Sequence, residues 1–120
     1  MKKQRLLNSF KNALQGILNT IKKERNIKIH FMVMILVIIS GFYFKINIYE
    51  WIICIILFGI VISAELFNTT IEKIVDIIIP YKDEKAKFIK DVAAGAVLIN
   101  AIVAAIIGLI IFIPKIINIL

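Results

Sequence analysis

Hydrophobic positions along the chain form one amphipathic segment followed by three long apolar runs. In residues 4–22, apolar side chains recur every three to four positions between lysines and amides, which predicts an amphipathic surface helix. The runs at 27–45, 48–79 and 91–113 are apolar over most of their length, and each is long enough to cross a membrane as a helix. The pattern therefore predicts an all-α membrane protein with three transmembrane helices in a single domain, residues 1–120.

Prolines and aromatic residues mark the ends of these predicted spans. Pro80 and Pro114 follow the second and third runs, and because proline cannot continue a helix, we expect both helices to end there. Residues 80–90 are strongly charged and are expected to form a loop. Aromatic residues surround the turn between the first two runs, as in the aromatic belt at a membrane interface. This aromatic cluster consists of Phe42, Tyr43, Phe44, Tyr49 and Trp51.

Composition and charge support the membrane assignment and predict an orientation. Hydrophobic residues make up 61% of the chain, whereas soluble domains contain about 45–50%. The net charge is +7, and the cations are concentrated in residues 1–28 and 73–90, which flank the apolar runs. By the positive-inside rule, the N-terminus and the 73–90 segment face the cytoplasm, and the C-terminus lies outside. Since the cations border apolar runs, we expect a cell-membrane location and no nucleic-acid partner.

A polar stripe interrupts the cytoplasmic end of the second run. At 100° per residue, Glu65, Asn68, Glu72 and Asp76 fall on about one third of the helix circumference. Ionisable groups within a membrane span usually serve a function. The alternative is a solvated helix end with salt bridges, and Asp76, nearest water, fits that alternative best. Glu65 lies deepest, so the stripe is the predicted place of the protein's chemistry.

The residue types suggest a magnesium–nucleotide site. Repulsion between close carboxylates is relieved by a divalent cation, and Mg²⁺ prefers oxygen ligands and several phosphate oxygens. Glu72 is a candidate ligand; Glu24, the one acid among the N-terminal cations, is either a surface acid or a second ligand. Lys90 can neutralise phosphate oxygens, while Asp91 is expected to cap the third helix. Since the chain has no P-loop motif, any ATP site must be built differently.

Two segments resemble the signatures of the prokaryotic diacylglycerol kinase family. Glu65-Leu-Phe-Asn-Thr-Thr-Ile-Glu-Lys-Ile-Val-Asp76 is similar to E-x-x-N-[ST]-A-I-E-x-x-V-D, with Thr70 in place of the alanine. Lys90-Asp-Val-Ala-Ala-Gly-Ala-Val97 matches K-D-x-x-[AS]-[AG]-A-V. Both motifs occur in the family's order and spacing, and the resemblance extends from Arg5 to Lys115.

This resemblance implies a homotrimeric lipid kinase that uses ATP and Mg²⁺, with active sites between subunits at the cytoplasmic interface. It implies that Glu65 is the general base and that Glu24 and Glu72 hold Mg²⁺. The nucleotide-binding positions that it implies are Glu24, Glu72, Lys90, Asp91, Asn12, Tyr81, Lys82 and Asp83. The substrate-binding positions that it implies are Arg5, Asn68, Glu65 and His30.

The expected lipid is undecaprenol, with diacylglycerol as the alternative. Residues 23–30 resemble the E-R-N-x-x-x-H segment of Gram-positive members, which prefer undecaprenol, whereas proteobacterial members carry a glutamate at the position of His30. The residues alone leave open whether His30 only reaches the membrane interface or takes part in the site. A non-enzymatic pore or accessory subunit is a further alternative. It explains the three spans, but not why the carboxylates gather opposite a lysine on the cytoplasmic side.

Overall fold

A computed structural model describes all 120 residues as four α-helices without strands. The helices are α1 (Lys2–Lys23), α2 (Arg25–Tyr43), α3 (Ile48–Ile78) and α4 (Glu84–Ile119). The last three are each long and apolar enough to cross a membrane. The predicted all-α architecture, a helix followed by three candidate spans, is therefore confirmed.

Helix α1 is amphipathic and meets α2 at Glu24. None of its residues is buried, and its apolar residues are exposed, including Leu6 and Phe10. Such a face is suited to lie against lipid. Glu24 has an extended backbone, and its N–H donates to the carbonyl of Thr20 (2.8 Å). The break between the two helices therefore falls on the one acidic residue of the basic N-terminal segment.

Helix α3 lies between α2 and α4, which both pack on it and make no contact with each other. The antiparallel pair α3 and α4 is held at both ends by an ion pair. At one end, Lys115 Nζ lies 2.7 Å from Glu50 Oε2, and at the other end Lys90 pairs with Asp76. Apolar side chains fill the space between, with Cys54 buried against α4. This arrangement places the polar stripe of α3 where neighbouring helices cover it.

Helix α4 begins at Glu84 rather than near residue 91, so the 80–90 segment is only partly a loop. Its N-cap is Asp83, and the expectation that Asp91 caps the helix is wrong because Asp91 lies within it. Charged side chains can remain on a helix at the membrane boundary, because water hydrates them there. By contrast, α3 ends at Ile78, just before Pro80, as predicted.

The expectation that Pro114 ends the last helix is also wrong, because α4 continues through it to Ile119. Proline removes one backbone donor, which usually breaks a helix in water. Within membrane helices, neighbouring groups can satisfy the backbone that proline frees. The carbonyl that Pro114 leaves without its usual donor is that of Ile110. Next to it, the Lys115 ammonium donates to the carbonyl of Ile111 (3.2 Å) and to the Glu50 carboxylate (2.7 Å). The last turns are thereby tied to α3.

The turn between α2 and α3 is held by a capping box and by an aromatic contact. Asn47 Oδ1 accepts from the N–H of Glu50 (2.9 Å), and the Glu50 carboxylate accepts from the N–H of Asn47 (3.0 Å). The indole of Trp51 packs over buried Gly41, with its centroid 4.9 Å from that of Phe42. The predicted aromatic cluster thus contributes to packing at this end of the molecule.

Replacing Gly41 by alanine is expected to destabilise the protein. A Cβ atom at Gly41 would lie 2.6 Å from Cη2 of Trp51, so the ring or the helix must shift. Overpacking of this kind typically costs about 1–3 kcal/mol. Thermal unfolding in detergent should show a lower Tm for G41A, whereas G16A, which meets no atom within 4 Å, should not. Equal Tm values for both variants would contradict the packing argument.

Candidate active site

Glu65 and Asn68 are the two buried polar side chains of the chain, and both belong to α3. Their exposed fractions are 3% and 6%. Both face the interior because α3 is covered by α2 on one side and by α4 on the other. A buried carboxylate is costly unless other groups compensate it. Its presence therefore indicates a place where the protein needs this chemistry.

The surroundings of Glu65 bring together three of the residues named from the sequence. His30 Nε2 of α2 lies 3.6 Å from Glu65 Oε2. The carboxylates of Glu72 and Glu24 also act electrostatically on Glu65. Glu24 reaches this group because the junction of α1 and α2 lies at the same end of α3. The buried Glu65 carboxylate thus has a histidine and two further carboxylates as neighbours.

Asn68 links this cluster to Glu72 and leaves one polar atom without a partner. Its Nδ2 donates to Glu72 Oε1 (3.2 Å), while its buried Oδ1 accepts no hydrogen bond. An unsatisfied buried acceptor typically costs about 1–3 kcal/mol. The cost is removed when a donor from outside the chain, such as a hydroxyl, reaches Oδ1. A buried acceptor without a partner, close to Glu65, is therefore a feature expected of a binding site.

The carboxylates fit a nucleotide-bound metal better than a resident one. No group of three or more histidine, cysteine, aspartate or glutamate side chains is arranged to hold a metal ion. Mg²⁺, however, commonly takes one or two carboxylates and completes its shell with phosphate oxygens and water. Glu24 and Glu72 supply such oxygen donors, and both are only half-buried. The donor set therefore suits Mg²⁺ that arrives with a nucleotide.

A polar cavity of about 590 Å³ opens at the end of α3 and α4 where Asp76 and Lys90 pair. The structure brings together here the loop residues and the helix-start residues that were named as nucleotide-binding. Its lining includes Tyr81, Lys82, Asp83, Lys87, Lys90 and Asp91. Lys87 was missed from the sequence, although it lies four residues before Asp91 and pairs with it at 2.7 Å. Three lysines line the cavity together with four carboxylates, and lysine ammonium groups are suited to bind phosphate oxygens.

Lys90 is engaged by Asp76, one turn beyond Glu72 along α3. Lys90 makes no hydrogen bond or ion pair with Glu72 or Glu65. The site residues therefore form two neighbouring groups on α3. One surrounds Glu65 and Glu72, and the other surrounds the Asp76–Lys90 pair.

Two of the predicted positions are not brought to either group. Arg5 and Asn12 are exposed on α1 and make no side-chain hydrogen bond or ion pair within the chain. Their side chains are accessible to any lipid or protein surface that covers α1. Their assignment to the lipid and nucleotide sites stays a prediction.

A second, apolar cavity of about 630 Å³ runs between α2, α3 and α4. His30 lies at one end and Ser40 further along α2, and nearly all other lining side chains are hydrophobic. On α4 the lining is made of small residues, among them Ala101, Ala104 and Gly108. The small side chains keep the space open, so this cavity offers an apolar path that ends beside the Glu65 carboxylate.

Comparison with known proteins identifies the group to which this arrangement belongs. The family described as prokaryotic diacylglycerol kinase matches residues 11–112. The chain belongs to this family. Family membership makes it a multi-pass membrane enzyme, a lipid kinase that takes its phosphoryl group from ATP. The alternative of a non-enzymatic pore or accessory subunit is thereby set aside.

Two relatives within the diacylglycerol kinase family carry different names. The chain is 44% identical over 111 residues to the undecaprenol kinase of Bacillus subtilis, an alignment covering 92% of this chain and 90% of the relative. It is 32% identical over 116 residues to a diacylglycerol kinase of Synechocystis sp., covering 96% of this chain and 66% of that relative. Similarity is thus greater to the undecaprenol kinase.

Proposed function

We propose that the protein is an undecaprenol kinase, which transfers the γ-phosphoryl group of ATP to the hydroxyl of undecaprenol. The observation that carries this proposal is the 44% identity, over nearly the whole chain, to a protein with that name. The apolar cavity that ends at His30 supports it, because a long hydrocarbon chain needs such a path to the carboxylate. Diacylglycerol is the second candidate, favoured by the similarity to the Synechocystis protein.

Glu65 acts as the general base in this proposal. It accepts the proton of the lipid hydroxyl while that oxygen attacks the γ-phosphorus and the bond to ADP breaks. The deep position of Glu65 suits a hydroxyl that remains near its hydrocarbon chain. Asn68, with its unpartnered Oδ1, orients the reacting groups beside it.

The nucleotide lies on the cytoplasmic side of Glu65. Glu72 and Glu24 hold Mg²⁺, which neutralises charge on the phosphates when bound. Lys90 contacts the phosphate oxygens, and Asp91, which pairs with Lys87, helps to orient the site. The loop residues Tyr81, Lys82 and Asp83 contact the remainder of the nucleotide, since they line the same cavity as Lys90.

The assembly is a homotrimer with the N-terminus in the cytoplasm and the C-terminus outside. Lysine-rich segments at 1–28 and 73–90 support this orientation. Within one chain, Lys90 contacts Asp76 and not the carboxylates near Glu65. This separation is consistent with active sites completed between subunits, where Arg5 and Asn12 of α1 have room to take part.

Parallel kinase assays test the lipid assignment. The purified protein is reconstituted with Mg²⁺ and ATP, and a long-chain polyprenol or a diacylglycerol is added at equal mole fraction. We expect a higher kcat/KM for the polyprenol. A higher value for diacylglycerol would replace the proposed substrate, and absence of any lipid-dependent ATP turnover would contradict the proposed function itself.

A further inference from the structure

His30 contacts both features that a lipid alcohol must reach. It is the only titratable residue besides Cys54 that lines the apolar cavity. Its Nε2 also lies 3.6 Å from Oε2 of the buried Glu65. A hydroxyl that enters along the cavity therefore reaches the imidazole first, with the Glu65 carboxylate directly behind it.

The contact between His30 and Glu65 involves one of the two carboxylate oxygens, Oε2. Oε2 is the oxygen that faces the imidazole, and the Asn68 side chain also acts on this carboxylate. The other charged groups acting on Glu65 are Glu72 and Glu24, which are carboxylates and cannot donate when ionised. Asn68 directs its amide nitrogen at Glu72. The histidine is thus the group best placed to hold Oε2.

We propose that His30 is a positioning residue for the proton acceptor. Its Nε2–H donates to Oε2 of Glu65, so that Oε1 stays free to receive the substrate's proton. In the transfer, the lipid O–H bond breaks and an O–H bond forms at Oε1. The lipid oxygen bonds to the γ-phosphorus, and the phosphorus–oxygen bond to ADP breaks, while His30 keeps its proton. This inference rests on the proposed function for the identity of the substrate.

The distance of 3.6 Å between Nε2 and Oε2 is longer than a hydrogen bond, which requires about 3.2 Å or less. The His30 side chain is 21% exposed, whereas that of Glu65 is 3% exposed, so the imidazole is the less confined of the two groups. We expect the imidazole to move toward the carboxylate when the hydroxyl binds, because catalytic contacts commonly tighten in the substrate complex.

Substitutions at His30 separate positioning from packing. H30L keeps a side chain of moderate bulk but removes the donor, and we expect kcat for the lipid alcohol to fall about tenfold to a hundredfold. KM for ATP should stay unchanged. H30Q places an amide N–H close to the position of Nε2, so it should restore most of the loss. M32L changes an exposed apolar side chain of the same helix outside the cavity and should behave as wild type.

A second measurement decides the contact independently of turnover. Dicyclohexylcarbodiimide attacks protonated carboxyl groups within membranes, and a hydrogen bond to Oε2 favours the ionised form. Labelling of Glu65 should therefore be faster in H30L than in wild type or H30Q. Equal labelling rates, or H30L turnover equal to wild type, would overturn the inference, as would equal losses in H30L and H30Q. If wild type turned over no lipid while labelling differed as expected, the proposed function alone would fail.

Discussion

Substituting Glu65 by glutamine is expected to lower kcat for lipid phosphorylation by about 10²–10⁴-fold, the usual contribution of a general base. Glutamine has nearly the same shape but cannot accept the hydroxyl proton. Glu65 does not line the polar cavity proposed for the nucleotide and lies about three helical turns from Asp76 in its wall, so ATP affinity should change little. Single-turnover kinetics at saturating ATP, together with ATP binding measured by equilibrium dialysis, test both parts.

Glu50 provides a matched control for this experiment. It is also a largely buried glutamate of α3, with 18% side-chain exposure, but it lies at the opposite end of the helix and pairs with Lys115. E50Q should lower stability because it leaves the lysine without its ionic partner, yet its turnover at permissive temperature should remain. If E65Q retained near-wild-type kcat, or if both variants lost activity to the same extent, Glu65 would not be the base.

The helices could be predicted from the sequence because lipid leaves the backbone few alternatives. In hydrocarbon every N–H and C=O must be satisfied within the chain, so long apolar runs form helices. The ends of α4 were less predictable. The helix continues through Pro114, and Lys115 ties the turns around it to Glu50 of α3. The two residues are sixty-five positions apart, so local sequence patterns do not contain this contact.

The site was predictable where its residues share one helix and less so where they meet across helices. Periodicity alone places Glu65, Asn68 and Glu72 on one face of α3. The approach of His30 to Glu65 depends on how α2 packs against α3, and spacing left its role open. Interhelical packing also determines that Lys90 meets Asp76, the residue of the polar stripe that best fits a solvated helix end.

Asp76 consequently gains significance from the structure. Its carboxylate neutralises Lys90 at the wall of the polar cavity while no phosphate is bound. A phosphate oxygen that binds Lys90 must compete with this carboxylate or share the ammonium with it. Because an ammonium has three donors, sharing is possible without breaking the pair. The ion pair with Asp76 therefore holds the Lys90 ammonium at the cavity wall, where a phosphate oxygen can reach it.

Substituting Glu72 by glutamine is expected to raise the Mg²⁺ concentration needed for half-maximal activity. Loss of a metal-site contact commonly weakens affinity about 10–100-fold, and an amide oxygen is a weaker ligand than a carboxylate. The hydrogen bond from Asn68 can persist in the variant, because the amide oxygen of the substituted side chain still accepts it. Titration of activity with Mg²⁺ at fixed ATP measures the shift.

The pattern of recovery distinguishes a metal ligand from a base. Activity of E72Q should return at high Mg²⁺, whereas E65Q should keep its lowered kcat at every Mg²⁺ concentration. E24Q should resemble E72Q if both carboxylates share the ion. E84Q, which removes an exposed carboxylate from the wall of the polar cavity, should leave the Mg²⁺ dependence unchanged. An unchanged Mg²⁺ requirement in E72Q would remove Glu72 as a ligand, because loss of a carboxylate ligand must weaken binding of the ion.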